Sequence, residues 1–218
     1  GITCDGCGFI NTPQVTLTTG KPQLDAQGNL QHIDVKRGDI TLTGQGLDAS
    51  KSDYLSLIAR TAQIDAGLNA NETRIVLGAN QVDATGKVTA QAADSGVAGS
   101  NVKVALDTGA LGGMYTNRIT LVSSEKGVGV NVGNLSARSG DITLSANGKL
   151  SLGDAVAQGA IQADADTLAL QGKQQAGEAL TLKARQDITL QDATLRARQN
   201  IELASGGGLK AQNSVISA

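Results

Sequence analysis

An internal repeat constrains the fold of this chain more than any other feature of its sequence. Between residues 139 and 218, an apolar–x–apolar triplet returns at intervals of 19, 19 and 21 residues. The four triplets are Ile142-Thr143-Leu144, Ile161-Gln162-Ala163, Leu180-Thr181-Leu182 and Ile201-Glu202-Leu203. Alternation with a period of two is typical of strands that bury one face. A fixed period of about 20 residues that contains several short strands predicts a solenoid of stacked coils.

Each coil carries further strands after its first triplet. Seven or eight residues later a second triplet follows, namely Leu150-Ser151-Leu152, Leu168-Ala169-Leu170, Ile188-Thr189-Leu190 and Leu209-Lys210-Ala211. A third, weaker apolar step falls at Val156, Leu195 and Val215. The aliphatic residues are predicted to point inward and the alternating polar residues outward. The pattern predicts an all-β fold, a right-handed parallel β-helix of about ten coils that forms one continuous domain.

A second ladder of triplets predicts that the coils also run through the first half of the chain. Leu47-Asp48-Ala49, Ile64-Asp65-Ala66 and Val82-Asp83-Ala84 recur at intervals of 17 and 18 residues. The polar stretch 21–32 is predicted to be a loop or a short hairpin. The stretch 52–63 also fits a helical face, but its neighbours in the ladder favour strand. A loop is expected around Gly96 and Gly99.

The composition fits a narrow interior better than a wide one. Aromatic residues make up 1% of the chain, whereas a sandwich or barrel normally fills its wide core with them. The net charge of −2 gives no reason to expect nucleic acid or an anionic membrane as a partner. No apolar run approaches the roughly 18 residues that a transmembrane segment needs.

Two stretches of the sequence resemble a known protein family. The first is Gly1-Ile2-Thr3-Cys4-Asp5-Gly6-Cys7-Gly8-Phe9-Ile10-Asn11-Thr12-Pro13, and the second is Ala110, Leu111, Gly112, Gly113, Met114 and Tyr115, followed by Glu125, Gly127 and Gly129. Both look like parts of the second half of a two-partner secretion domain. Such domains occur in the filamentous haemagglutinins and the contact-dependent growth inhibition exoproteins of Gram-negative bacteria. The family's Asn-Pro-Asn before Gly-Ile is absent here, as is the upstream half with its cap, so we expect Gly1 to be a cut into a longer protein.

The resemblance implies a function as well as a fold. Residues 1–133 would be the carboxyl-terminal part of the secretion domain, and residues 139–218 would be haemagglutinin-type repeats of a stalk. The family implies export through an outer-membrane barrel transporter with periplasmic modules, and location at the bacterial cell surface. A receptor on a neighbouring or host cell would be a further partner. Because the toxic or adhesive segments of the family usually lie elsewhere, we expect no enzyme activity and no cofactor in this chain.

The two cysteines, Cys4 and Cys7, are the first candidates for chemistry. Half of a zinc site, a redox pair and a small disulfide are the alternatives. A zinc site needs about four ligands, and His32 is the only histidine in the chain. A thioredoxin-type site needs a βαβ setting that is absent. A short-loop disulfide or an inert pair is therefore favoured, without a bound metal, and export would favour the disulfide.

Asp48, Asp65 and Asp83 are weaker ligand candidates. If the second ladder is correct, these carboxylates stack on one outer face about 5 Å apart, near the separation in a retaining glycosidase. The alternative function is therefore a β-helical carbohydrate-active enzyme or lectin. No aromatic platform or dense basic cluster accompanies them, so turn-forming aspartates are favoured. Arg37-Gly38-Asp39 spells an integrin-type tripeptide, but Gly-Asp also precedes the same Ile-Thr-Leu strand at Gly140.

Overall fold

The computed structural model describes residues 1–91 and 102–218, and the described part consists of strands joined by short turns. In chain order, the strands of the first part are β1 (Ile2–Cys4), β2 (Cys7–Gly8), β3 (Gln14–Thr18), β4 (Lys21–Leu24), β5 (Leu30–Asp34), β6 (Asp39–Leu42), β7 (Leu47–Asp48), β8 (Tyr54–Ala59), β9 (Thr61–Ile64), β10 (Gly67–Asn69), β11 (Glu72–Leu77), β12 (Asn80–Asp83) and β13 (Val88–Gln91). They continue as β14 (Val104–Thr108), β15 (Gly113–Thr116), β16 (Arg118–Ser123), β17 (Gly129–Val132), β18 (Leu135–Ala137), β19 (Ile142–Ala146), β20 (Lys149–Leu152), β21 (Ala155–Ala157), β22 (Ile161–Ala165), β23 (Thr167–Ala176), β24 (Leu180–Ala184), β25 (Ile188–Ala197), β26 (Ile201–Ser205), β27 (Leu209–Gln212) and β28 (Val215–Ser217).

The strands wind into a parallel β-solenoid with three faces per coil. The first face contains β1, β6, β9, β14, β17 and β20, and the second contains β2, β7, β10, β15, β18 and β21. Strands β23 and β25 are long enough to run around the corner between these two faces, and β27 and β28 extend them. The third face contains β3, β8, β11, β16, β19, β22, β24 and β26. The predicted β-helix is confirmed.

The register of the later coils is the predicted one. Ile142 lies beside Ile161, Ile161 beside Leu180, and Leu180 beside Ile201 on the third face. Leu182 is fully buried, whereas the alternating Thr181 points outward and is partly exposed. Stacked aliphatic side chains therefore fill the narrow interior from one coil to the next. The direct pairing of β16 with β19 makes the two halves one continuous stack.

The number of coils is about eight, so the prediction of about ten was too high. Two stretches leave the stack and return to it instead of adding coils. The predicted hairpin in the stretch 21–32 is confirmed as β4 and β5, which pair antiparallel. The triplet Val82-Asp83-Ala84 is not a coil strand, because β12 pairs antiparallel with both β5 and β13. At about 4.8 Å per coil, eight coils give a rod of about 40 Å, whereas the predicted ten coils would give about 50 Å.

The four antiparallel strands β4, β5, β12 and β13 form a small sheet that we call the roof. It covers part of the outer side of the third face. Val35 and Val82 of the roof segment pack with Ile58 and Val76, whose side chains point out of the solenoid. This second hydrophobic cluster explains why two aliphatic residues point outward from β8 and β11.

Some sequence predictions differ from the structure at the level of single residues. The stretch 52–63 forms strands β8 and β9, as predicted. The prediction that the aliphatic residues of the third apolar step point inward is wrong for two of them. Val156 points outward between the buried Ala155 and Ala157, and Val215 lies beside the outward Thr194. Leu195 is buried as predicted. The loop expected around Gly96 and Gly99 lies outside the described residues.

The last coil is paired on one side only within the described residues. Strands β27 and β28 both pair with β25. Their inward positions are therefore half exposed, at 51% for Leu209 and 49% for Ile216. The equivalent positions in the preceding coil, Ile188 and Leu195, are fully buried.

Candidate functional site

Cys4 and Cys7 form the corner between the first two faces in the first coil. The structure joins them in a disulfide, with Cα atoms 5.3 Å apart. Cys4 is 2% exposed and belongs to the core, because its strand β1 lies directly on β6. The backbone N–H groups of Gly6 and Cys7 both donate to the carbonyl of Gly46, which stacks this corner on the next coil.

The stretch Ala110–Tyr115 forms the same corner three coils further on. Gly112 lies so close to the preceding coil that a Cβ atom would overlap the carbonyl oxygen of Ile64. Met114 is fully buried and stacks between Leu68 and Leu135. Two side chains near Met114 point out of the solenoid toward solvent, since Leu111 is 87% exposed and Tyr115 is 42% exposed. This corner therefore combines a tight backbone contact with two exposed apolar side chains.

Glu125 reaches back across the stack to Arg60. Its two oxygens accept from Nε and Nη2 of Arg60 at 3.2 and 3.0 Å, and both side chains are mostly buried, at 9% exposed for Arg60 and 16% for Glu125. The neighbouring Ser124 donates its hydroxyl hydrogen to Asn80, at the start of the roof strand β12. This small polar cluster joins the corner after β8, the roof and the corner after β16. Sequence reasoning did not anticipate this pairing.

Gly127 and Gly129 follow in the connection to β17. Gly127 has a φ of +77° and donates its N–H to the carbonyl of Asn147 in the next coil. Gly129 begins β17 and donates to the carbonyl of Lys103. Both residues therefore shape the path of the chain between two coils.

Asp48, Asp65 and Asp83 do not stack, so the predicted ladder of carboxylates is wrong. Asp48 ends β7 on the second face, Asp65 follows β9 on the first face, and Asp83 ends β12 in the roof. The side-chain oxygens of Asp48 and Asp83 cap their own turns. Asp48 accepts from the N–H of Ser50, and hydrogen bonds from Ser50 hold the pKa of Asp48 below its ordinary value. Turn formation thus accounts for two of the three carboxylates.

His32 lies on the roof strand β5, with its Nε2 atom 3.4 Å from Asp34. Within residues 1–91 and 102–218, no group of three or more His, Cys, Asp or Glu side chains could hold a metal ion. Among the same residues no helix is long and apolar enough to cross a membrane. In Arg37-Gly38-Asp39, both charged residues are exposed at the start of β6.

The two hairpins of the roof share a turn that the sequence analysis missed. Asp25 and Asp83 each accept two backbone N–H bonds, from the residues two and four positions later. In both turns a glycine follows at the third position, with φ near +82° at Gly28 and +85° at Gly86. The shared Asp-Ala-x-Gly pattern is visible in the sequence and is the signal that could have identified the second hairpin.

Comparisons with known proteins agree with this fold and with these motifs. A sequence model of the TPS secretion domain family matches residues 1–152. The whole chain is 51% identical to the tRNA nuclease CdiA of Yersinia mollaretii and covers 7% of it. It is 50% identical to the 16S rRNA endonuclease CdiA of Enterobacter cloacae, again over the whole chain, and covers 6% of that protein. The chain therefore spans less than a tenth of these curated relatives.

A solved structure supports the same assignment at the level of the fold. The crystal structure of a filamentous hemagglutinin secretion domain superposes with a TM-score of 0.60 and 28% sequence identity. The superposition covers 97% of this chain and 64% of that one. The family match over residues 1–152, the two identities near 50% and the shared solenoid lead to one conclusion: this chain belongs to the TPS secretion domain family, as the secretion module of a large two-partner exoprotein.

Proposed function

We propose that this chain directs export of its parent exoprotein through an outer-membrane barrel transporter and then begins the extracellular stalk. The family match over residues 1–152 is the single observation that carries the proposal. In the proposed division of labour, residues 1–133 serve recognition by the transporter, and the coils of 139–218 serve as stalk. The mature location is then the bacterial cell surface.

The solenoid itself argues for passage in an unfolded form. A three-faced rod of stacked strands is wider than an extended chain, so it cannot thread a narrow barrel without losing its coils. In the extended form, the strand segments expose their backbone N–H and C=O groups. These groups can pair with an open strand edge of a periplasmic module, which is recognition by strand addition. Outside the cell each coil can then fold onto the one before it, because contacts in a solenoid are between neighbours.

We also propose that the chain itself has no enzymatic activity and requires no metal or cofactor. Two of the relatives are named nucleases, but the chain covers only 7% and 6% of them. In this proposal the toxic activity lies in another segment of the parent protein, and a receptor on a neighbouring or host cell is contacted elsewhere as well. The alternative of a carbohydrate-active enzyme or lectin has no support from the comparisons, and the three aspartates behind it lie apart, on two faces of the solenoid and in the roof.

A pair of variants of the parent exoprotein tests the division of labour. Deletion of residues 139–218 should leave secretion into the medium largely intact. Scrambling residues 110–130 should abolish it, because the tight corner at Gly112 and the Glu125 pairing are both lost. Scrambling residues 155–175 within the stalk is the matched control and should be tolerated. The proposal is wrong if the deletion blocks secretion while the scrambled 110–130 variant is exported normally.

A further inference from the structure

The roof and the third face enclose a cleft of about 590 Å³. Its floor consists of outward residues of β3, β8 and β11, and its far wall is the roof with the turn after β12. The coil stack does not need this roof, since the later coils form without one. Insertions into a solenoid often build its binding face. The volume lies within the range of about 300–1,000 Å³ that small-molecule sites occupy.

The inner end of the cleft is apolar. It is lined by Ile58 from the floor and Ile33 from the roof, which are 3% and 4% exposed, and by Pro22 and Leu30. The mouth is more polar and includes the ring of Tyr54, which is 48% exposed. A ligand that fits this gradient has an apolar end and a polar end.

Arg74 lies between these two ends and carries a positive charge into the cleft. It occupies the same outward row as Thr16 and Ser56, whose hydroxyl groups also line the floor. Its stem passes beneath Gly86 of the roof turn, where a Cβ atom would lie 2.6 Å from the Cδ atom of Arg74. The side chain is therefore confined by the roof. Within the described part of the chain, its guanidinium makes no side-chain hydrogen bond or ion pair.

The carboxylates of the cleft do not neutralise this guanidinium through contact. The Oδ1 atom of Asp83 already accepts hydrogen bonds from the N–H and hydroxyl of Thr85 and from the N–H of Lys87. Glu72 lies on the exposed side of the floor, at the mouth. A half-buried guanidinium loses hydration and favours an anionic partner with planar geometry, such as a carboxylate.

We propose that this cleft binds a small amphiphilic carboxylate. The apolar group of the ligand occupies the inner end beside Ile33 and Ile58, and its carboxylate accepts hydrogen bonds from Arg74. The hydroxyl groups of Thr16 and Ser56 donate further hydrogen bonds along the same row. This binding site is separate from the proposed role in export and does not depend on it.

Isothermal titration calorimetry of the 218-residue chain tests the site with 3-phenylpropanoate and its neutral isostere 3-phenylpropanamide. The carboxylate should bind more tightly than the amide. Arg74→Gln should weaken carboxylate binding by at least about tenfold and amide binding by less than about twofold, because only the charge-assisted hydrogen bonds are lost. Arg118→Gln is the matched control, since this exposed arginine lies beside Glu72 in the next coil and outside the cleft, and it should change neither affinity.

A second variant keeps the test decisive if Arg74→Gln alters folding. Ser56→Trp fills the floor of the cleft from an outward position and should abolish binding of both probes, while circular dichroism and the melting temperature stay unchanged. Equal affinities for acid and amide, equal effects of the two arginine variants, or undetectable binding of both probes would overturn the proposal.

The natural source of the carboxylate is distinguished by a further pair of probes, N-acetyl-leucyl-phenylalanine and its carboxyl-terminal amide. Tighter binding of this dipeptide acid than of 3-phenylpropanoate assigns the site to the carboxyl terminus of a peptide chain. Tighter binding of 3-phenylpropanoate assigns it to a free small acid. Both outcomes support the shared chemistry, provided that the corresponding amide binds more weakly and that Arg74→Gln removes the difference.

Discussion

Arg60 and Glu125 are 65 residues apart in the sequence and form a bidentate ion pair, with N–O distances of 3.2 and 3.0 Å. Arg60 lies at the corner between β8 and β9, and Glu125 follows β16. The two residues therefore lie at equivalent corners two coils apart, because β11 lies between β8 and β16. Because the side chain of Arg60 is only 9% exposed, its charge is largely removed from water, and the carboxylate of Glu125 compensates it. The early coils thus depend on a residue that follows much later in the chain.

We expect Glu125→Ala to lower the free energy of unfolding by roughly 3 kcal/mol, because it leaves a buried guanidinium without its carboxylate. Urea denaturation followed by circular dichroism measures this change. Glu178→Ala is the control, since Glu178 is exposed, and it should change stability by less than about 0.5 kcal/mol. Similar losses in the two variants would show that the pair does not hold the coils together.

The register of the later coils is tested by two neighbouring residues of β24. Leu182 is fully buried between Ala163 and Leu203, so Leu182→Ala should cost about 2–5 kcal/mol of stability. The adjacent Thr181 points outward, and Thr181→Ala should cost less than about 1 kcal/mol. Thermal unfolding of the two variants separates these expectations, and equal shifts of the melting temperature would mean that the register is wrong.

The disulfide between Cys4 and Cys7 closes a short loop, so its effect on the unfolded chain is small. We expect reduction to lower the free energy of unfolding by less than the roughly 3 kcal/mol that a 15-residue loop provides. Thiol alkylation and mass spectrometry report whether the bond is present in secreted protein. Stoichiometric zinc in elemental analysis of the purified chain would contradict the disulfide.

The roof turn at Asp83 should make stability depend on pH. Hydrogen bonds from the hydroxyl of Thr85 and the N–H of Lys87 hold the pKa of Asp83 below its ordinary value. A carboxyl group whose pKa is lower in the folded state stabilises that state above the unfolded pKa of about 3.9, and this contribution is lost as the pH falls through the folded pKa. The chain should therefore be more stable than Asp83→Asn at neutral pH, and the difference should shrink in acid.

Urea midpoints of both proteins between about pH 7 and pH 2.5 measure that difference across the relevant range. Asp53→Asn, at an exposed carboxylate away from the roof, is the control at neutral pH and should change stability by less than about 0.5 kcal/mol. A difference between the chain and Asp83→Asn that persists unchanged at the acid end would contradict the proposed role of the ionised carboxylate.

The stack of coils was predictable because the sequence pattern of each strand is local and recurs in every later coil. Ile142, Ile161, Leu180 and Ile201 begin equivalent strands at nearly constant spacing, and a period of two leaves only one face for the core. Any one of these triplets would be ambiguous alone. Their agreement predicts both the fold and the register of the second half.

The first half was harder because an alternating triplet does not specify which strand it pairs with. Val82-Asp83-Ala84 has the pattern of a coil strand, and Val82 is indeed buried. It is buried beneath the roof, however, where β12 runs antiparallel to β5. The turn at Gly86 distinguishes the hairpin from a coil, because it has nearly the same positive φ as the turn at Gly28 in the first hairpin.

The polar contacts between distant segments could not be predicted from one sequence. No local pattern near Arg60 indicates that its partner is Glu125. The number of residues between the two depends on how many coils and insertions separate them along the chain. The confinement of Arg74 beneath Gly86 has the same origin. Both are consequences of the roof and the coil stack meeting in three dimensions.

In the isolated 218-residue chain, the half-exposed inward positions of the last coil mean that resistance to local opening varies along the stack. A coil such as β17 and β18 is held by neighbours above and below, whereas β27 and β28 are held on one side. Separating Leu209 and Ile216 from β25 therefore disrupts one stacking interface, and opening an inner coil disrupts two. Amide hydrogens should exchange with solvent first at β27 and β28 and more slowly toward the middle. Unfolding of the isolated 218-residue chain should then begin by fraying at this edge and proceed coil by coil, rather than in a single all-or-none event.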